Sequence, residues 1–294
     1  MEKKITVFLF LLLASAGAIA YTRAVYRFEV PEVESERILF DFSLPVGACH
    51  LQVDEEQGFP ILLEGQLKEG ELKDVHFFYE SQGKDYLVDF RVAHQNKFSL
   101  EEIKGERANH SWQVSLSPQE AFGMKLSYGW GNSSLDLSEL KVSSLEISTG
   151  HADVRAIHRE DSPNDLLMEG YRAKVDYGSL HIENLDMANS PFFDAEVAVG
   201  KLSLAFSEKL YRNCQVNVNV GAGELMAELP SKEAGIRIKV ASSIMSSVNI
   251  PKGFRKYQGY LVNDAYLAKT FDNMVTFDIA VSMGTVSFKW GKKS

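Results

Sequence analysis

The feature that most restricts this chain is a short alternation of apolar and polar residues that halts at a glycine and then restarts. Phe40, Phe42, Leu44 and Val46 alternate ahead of Gly47, and Leu51 and Val53 follow it. Met124, Leu126 and Tyr128 precede Gly129, with Leu135 and Leu137 beyond. Leu145 and Ile147 lead to Gly150 and then Val154; Val175 and Tyr177 lead to Gly178, then Leu180 and Ile182. Val197 and Val199 lead to Gly200, then Leu202 and Leu204. Val216, Val218 and Val220 run into Gly221, and Ile279 and Val281 run toward Gly284 and Val286. A period of two places one set of side chains on one face of a half-buried strand. The β-branched and aromatic content favours strand over helix, and glycine at each break permits a sharp bend at positive φ.

The spacing adds a second constraint. Gly129 to Gly150 is 21 residues, Gly178 to Gly200 is 22, Gly200 to Gly221 is 21, and Gly221 to Gly284 is 63. The last interval equals three steps, with Ser242 and Asn263 at the intermediate positions, asparagine being tolerant of left-handed backbone. The longer gap from Gly150 to Gly178 holds His158-Arg159-Glu160-Asp161-Ser162-Pro163-Asn164-Asp165, which reads as an inserted surface loop. A period near 20 residues with such insertions predicts a stack of repeats. The expected fold is all-β: an elongated, β-solenoid-like stack of short strands with a less regular N-terminal portion. A β-sandwich is the alternative.

The expected organisation is a signal peptide at 1–20, an irregular N-terminal β region at 21–118 and a regular repeat region at 119–294. Within the irregular part, Val75 to Tyr79 and Tyr86 to Val92 are strand-like, and Leu100 to Arg107 suggests a short helix. It forms either a separate domain or a degenerate part of the same stack; the repeat pattern at Gly47 favours the second.

Lys3 and Lys4, the apolar run Ile5 to Leu13 and Ala18-Ile19-Ala20 read as an export signal with an A-x-A cleavage pattern. Ile5 to Ala20 is shorter than the ~20 residues of a membrane span; an uncleaved anchor is the alternative to cleavage. The expected location is the periplasm or cell surface. There disulfides persist, and Cys49 and Cys214 are either bridged or two buried thiols. The net charge of −9 and the lack of a basic stripe argue against a nucleic-acid partner.

The run Leu135-Asp136-Leu137, Val142 and Leu145-Glu146-Ile147-Ser148-Thr149-Gly150-His151-Ala152-Asp153-Val154 resembles the repeat of the bacterial toast-rack proteins. That group includes C-terminal domains of cell-wall-active antibiotic response proteins and adhesin-like heads. The similarity is clearest from Met124 to Phe206 and weaker over Val216 to Trp290 and Phe40 to Val53. It implies an all-β stack of rungs on the outer side of a bacterial membrane, and it supplies no catalytic motif. Some relatives are stress regulators attached to membrane helices, which this sequence lacks.

Motifs for chemistry are absent: no G-x-S-x-G, H-E-x-x-H, phosphate loop or C-x-x-C occurs. His50, His76, His94, His110, His151, His158 and His181 show no metal-ligand spacing on a predicted helix. His151 and Asp153 would share one side of a strand, where a solvated turn is favoured over a metal or acid–base pair. Asp54-Glu55-Glu56 and Glu101-Glu102 read as solvated edges. Tyr128, Trp130, Tyr257, Tyr260 and Tyr266 are either partner-stacking rings or an aromatic plug for the stack, and the structural role is favoured. Asn109-His110-Ser111 and Asn132-Ser133-Ser134 match a glycosylation sequon. No catalytic, cofactor-binding or metal residue is expected. The expected function is a non-enzymatic, adhesin-like envelope or surface scaffold binding an envelope polymer or a membrane or surface protein through its polar strand faces. An envelope-stress sensor and a carbohydrate-active enzyme on a β-solenoid are the alternatives.

Overall fold

The computed structural model describes residues 5–8, 23–56, 58–68, 71–93 and 111–291. Lys3, Lys4, Ala18-Ile19-Ala20, His94, Leu100 to Arg107 with Glu101-Glu102, Asn109 and His110 lie outside the described residues. Among the described residues, two twelve-stranded sheets enclose one apolar core. A rung consists of one strand in the first sheet, a bend, and one strand in the second.

Among the described residues, nine rungs stack in the order 85–116 (strands 85–92 and 111–116), 37–53, 121–136, 141–157, 170–183, 192–205, 214–229, 274–290 and 235–249. Neighbouring rungs pair in parallel, as Phe192–Val197 does with Gly170–Val175 and Lys201–Ala205 with Ser179–Glu183. Their separation is that of adjacent strands, ~4.8 Å. The alternation in sequence becomes columns through the stack. One inward column runs Phe40, Met124, Leu145, Tyr171, Phe193, Val216, Phe277, Ile238. The facing column runs Leu51, Leu135, Ala156, Ile182, Leu204, Ala227, Phe288. All of these side chains are buried, so each rung covers the apolar face of the next.

Both ends depart from chain order in the same way. The 37–53 rung sits inside the later 85–116 rung, and the 235–249 rung sits outside the later 274–290 rung. The 63-residue interval therefore holds one rung and a hairpin. Gly284 lies directly over Gly223, and Asn263 is no rung corner: its backbone is extended at φ −83°, and its side chain caps the short helix Asp264–Ala268 by accepting from Tyr266 N. Antiparallel strands close the ends: Val75–Gln82 and Ile61–Lys68 at one, Phe254–Tyr257 and Tyr260–Asn263 at the other. The first end is filled by rings, with Phe90 4.7 Å from Trp112 and 5.5 Å from Phe42. Both Val75 to Tyr79 and Tyr86 to Val92 fall in strands of the first sheet. Arg23–Val30 pairs with Ile61–Lys68, and Ile5–Phe8 pairs with Arg23–Val30.

The corners correct the sequence expectation on two points. First, the glycines belong to two columns. Gly129, Gly150, Asp176, Ala198, Gly221 and Ser282 end the first-sheet side of the bend, while Gly131, Ala152, Gly178, Gly200, Gly223 and Gly284 begin the second-sheet side. The 21-residue step from Gly200 to Gly221 crosses from one column to the other. Second, most of these glycines are required by proximity rather than by positive φ. A Cβ on Gly200 would stand 2.2 Å from the Gly178 carbonyl oxygen, and one on Gly178 would stand 2.1 Å from that of Ala152. Tyr177 and Val199 lie between the two columns and point to solvent, because the inward alternation ends at Val175 and Val197.

The 158–165 segment is also not a simple surface insertion. His158 and Asn164 are buried within it. Asn164 Oδ1 accepts from Val142 N at 3.0 Å, while its Nδ2 donates to Val142 O at 2.7 Å and Ala188 O at 3.1 Å. A side chain of the rear loop thus satisfies backbone groups of the neighbouring strand 141–149 and of the 3-10 turn 185–188.

Candidate binding surfaces

Three surfaces run along the stack. The first is the outward face of the first sheet. In register across it stand Asp89, Asp41, Lys125, Glu146, Arg172, Asp194, Asn217, Asp278 and Lys239. The row two residues on holds Ser148, Lys174, Glu196 and Asn219. Around its centre is a depression of about 470 Å³ lined by Glu146, Arg172, Lys174, Asp194, Glu196 and Asn217. Asn217 Nδ2 donates to Asp194 Oδ1 at 2.8 Å, and Lys174 Nζ lies 3.8 Å from Asp176. Arg172 stands between Glu146 and Asp194, yet among the described residues it forms no ion pair, so its fork of donors faces solvent.

The second surface is a groove of about 1090 Å³ along the rear corner, bordered by Glu160, Glu183, Glu228, Lys232, Asp272 and Trp290. Its acids are partly engaged. Arg155 holds Glu183 at 2.6 Å, His181 meets it at 3.0 Å, and Lys289 holds Glu228 at 2.9 Å. The Trp290 ring stacks with Phe254 at 5.5 Å, and Lys232 Nζ stands 5.5 Å from its centroid, so the ring already has protein partners. Beneath the groove Asp186 is fully buried and accepts from Ser207 N at 2.9 Å, from the Ser207 hydroxyl and from Tyr211 N at 2.8 Å. It is a structural carboxylate tying two loops together.

The third surface is the front corner. There the bends 150–152, 176–178, 198–200, 221–223 and 282–284 are tripeptides whose outer residues are small, apart from Asp176, and whose middle residue projects outward. In this column His151 is stacked between Trp130 at 4.2 Å and Tyr177 at 4.7 Å, the ring planes within 8°. Val199, Ala222 and Met283 continue the line. Sequence reasoning missed this feature, although the signal was there: small–X–small recurs at Gly129-Trp130-Gly131, Gly150-His151-Ala152, Ala198-Val199-Gly200, Gly221-Ala222-Gly223 and Ser282-Met283-Gly284.

The residues singled out from sequence are dispersed. His151 is in the ring stack, whereas Asp153 accepts from the Ser179 hydroxyl at 2.5 Å. Tyr128 is core, packed on Phe42, and burial raises its hydroxyl pKa. Arg237 sits 4.2 Å over Tyr260, and Tyr266 stacks on Phe271, so these rings belong to the C-terminal end. Tyr257 is exposed beside them. Cys49 and Cys214 are free, buried thiols, each pushed up to about 12 by burial. Asp54 accepts from Glu56 N within its turn, and Ser133 of the second sequon is buried. Among the described residues, no group of three or more His, Cys, Asp or Glu is placed to hold a metal ion, and no helix is long and apolar enough to cross a membrane.

Residues 25–168 match the family model described as the N-terminal domain of toast_rack. This segment belongs to the toast-rack family. The toast-rack match covers the 37–53, 85–116, 121–136 and 141–157 rungs, including strands whose sequence reads as irregular. No curated protein matches the chain. Among solved structures, it is similar to a "putative cell adhesion protein" from Clostridium sporogenes at 19% identity and TM-score 0.44, covering 91% of this chain and 99% of that one. A "putative adhesin" from Bacteroides fragilis is 9% identical at TM-score 0.36, covering 91% and 97%. A "putative lipid binding protein" from Parabacteroides distasonis is 10% identical at TM-score 0.40, covering 91% and 96%. Similarity at this level assigns no ligand to this toast-rack chain.

Proposed function

We propose that this toast-rack protein is a non-enzymatic, adhesin-like binding protein of the cell envelope or surface, and that it holds an envelope polymer across the outward face of its first sheet. The observation carrying this reading is the ladder itself. Polar and charged side chains recur at every rung of that face, and Arg172 stands at the central depression without an ion pair among the described residues. An extended polymer with regularly spaced carboxylate and ammonium or amide groups meets such a row by many weak, exposed contacts. Arg172 provides the one bidentate anchor. Repetition then supplies avidity without a deep pocket. The apolar run and A-x-A pattern within residues 1–20 support delivery to that compartment.

Retention on peptidoglycan sacculi and on whole cells is the test. The wild-type protein is expected to co-sediment without turnover of the polymer, and Arg172→Glu with Lys174→Glu to weaken retention at least tenfold. Both side chains are exposed, so the fold is expected to survive the change. No retention of the wild type, or equal retention of the variant, overturns the reading.

A further inference from the structure

The front corner carries a line of exposed apolar side chains that the polymer-binding face does not use. Exposure is 51% at Val199, 56% at Met283, 68% at Met245 and 103% at Ile244, with Ala222 exposed between the first two. They occupy four successive rungs, 192–205, 214–229, 274–290 and 235–249. Ile244 and Met245 form the tip of the bend between Gly235–Ser242 and Ser247–Asn249, where Ser246 N donates to Ser243 O. The columns on either side over these rungs are Ala198, Gly221, Ser282, Ser243 and Gly200, Gly223, Gly284, Ser246. None is charged and none is large. The ridge therefore stands proud of its surroundings, and nothing beside it must be desolvated at high cost when it is covered.

Shape and charge select the occupant. The ridge is convex, one residue wide over three rungs and two residues wide at Ile244 and Met245, and its side chains expose no more than roughly 600 Å², below the ~800 Å² per partner of a stable protein interface. On a second copy, neither the first-sheet depression nor the rear groove is an apolar hollow that matches it. The large groove of this chain is bordered by Glu160, Glu183, Glu228 and Asp272, and two convex ridges meet over little area. A bilayer surface needs no preformed groove, and it accepts protruding Ile, Met and Val side chains at the headgroup–acyl boundary. With a net charge of −9 and no cation in the flanking columns, attraction to anionic lipid is absent. We infer that the uncharged front-corner ridge formed by Val199, Ala222, Met283, Ile244 and Met245 is a contact site for a zwitterionic lipid surface. This does not rest on the polymer reading, since the two surfaces share no residue.

The experiment reads the ridge directly, so that binding by the apolar N-terminal segment does not mask it. The full chain carries Met245→Cys labelled with an environment-sensitive fluorophore. The native Cys49 and Cys214 are buried and stay unlabelled. The reference is the same label on Asn219→Cys, on the outward face of the first sheet. On addition of phosphatidylcholine vesicles, emission at position 245 is expected to shift to the blue while emission at 219 does not. Ile244→Asp with Met283→Asp in the 245-labelled chain is expected to raise the lipid concentration at half-shift at least tenfold. Both side chains are solvent-exposed, and an unchanged circular dichroism spectrum confirms the fold. Four outcomes overturn the inference: no shift at 245, equal shifts at both sites, an aspartate variant matching the parent, or a shift that requires phosphatidylglycerol and disappears in salt. A shift without lipid that grows with protein concentration assigns the ridge to self-association and overturns it as well.

Discussion

The two corners of each rung solve the same problem, reversing the chain between sheets, by opposite means. At the front, five successive bends are three residues long and have almost no side chain on their flanks, so carbonyls of one rung nest against the backbone of the next. At the rear, the connections vary from 137–140 to 158–169 and are held by buried polar side chains, notably Asn164 and Asp186. The front corner sets the rung-to-rung geometry by exclusion of Cβ atoms, and the rear corner accommodates it by hydrogen bonding. One is intolerant of added volume. The other is intolerant of lost polarity.

The sharpest test adds a single methyl group at each kind of site. Gly200→Ala places a Cβ 2.2 Å from the Gly178 carbonyl, which itself accepts from Lys201 N at 2.9 Å. Neither backbone can retreat without losing that bond, so a cost of about 3 kcal/mol is expected, with Tm lower by roughly 10 °C. Gly170, at the rear start of its strand, has nothing within 4 Å of the corresponding point. Gly170→Ala is expected to change stability by less than about 0.5 kcal/mol, in the favourable direction. Urea denaturation of the two variants side by side decides the matter, and equal losses would mean that the front corner is not uniquely close-packed.

Acid distinguishes the corners next. His158, in a rear loop, is buried against Tyr171, and burial lowers its pKa to about 4 despite the opposing pull of Asp136. The unfolded chain, titrating near 6.5, binds the proton more readily between pH 6.5 and 4. Stability therefore falls as pH is lowered through that window, and the loss is complete below the folded value. The difference corresponds to about 3 kcal/mol. Chemical denaturation at pH 7, 5.5 and 4 should show this decline, and His158→Leu should flatten it. An unchanged slope in the variant would move the acid sensitivity elsewhere in the stack.

The contrast also explains what the sequence made legible. Strand alternation could be read because each rung buries one face, so Val216, Val218 and Val220 declare themselves. The corner glycines were visible because a Cβ is forbidden there. Their assignment to one column failed because two columns, two residues apart in chain order, both favour small residues, as Gly221 and Gly223 show. The swapped end rungs left no local trace: Met274–Val281 and Gly235–Ser242 are equally strand-like, and only their long-range pairing fixes which lies outermost. The burial of His158 and Asn164 was hidden for a related reason. A polar, proline-bearing loop has the same composition whether its side chains meet water or the backbone of neighbouring rungs. The Arg172 depression depends on cross-strand register, which a linear pattern of charges does not display.

The smallest effect divides the front corner itself. From 121–136 to 170–183 the projecting residues are Trp130, His151 and Tyr177, whose rings occupy one another's faces. From 192–205 onward they are Val199, Ala222, Met283, Ile244 and Met245, which extend into solvent. If the rings act as a rung-to-rung brace, Tyr177→Ser removes one stacking contact and costs about 1 kcal/mol. A double-mutant cycle with His151→Ser should recover most of that amount as coupling. Val199→Ser, one rung further on, is expected to change stability by less than about 0.5 kcal/mol, because an exposed residue without a stacked neighbour contributes little to the fold. Similar costs at both positions would make the ridge one continuous structural element, and no coupling between His151 and Tyr177 would mean that the rings do not brace the rungs. The expected inequality leaves the aliphatic half of the corner free of any part in holding the stack together, and so available for contact with something outside it.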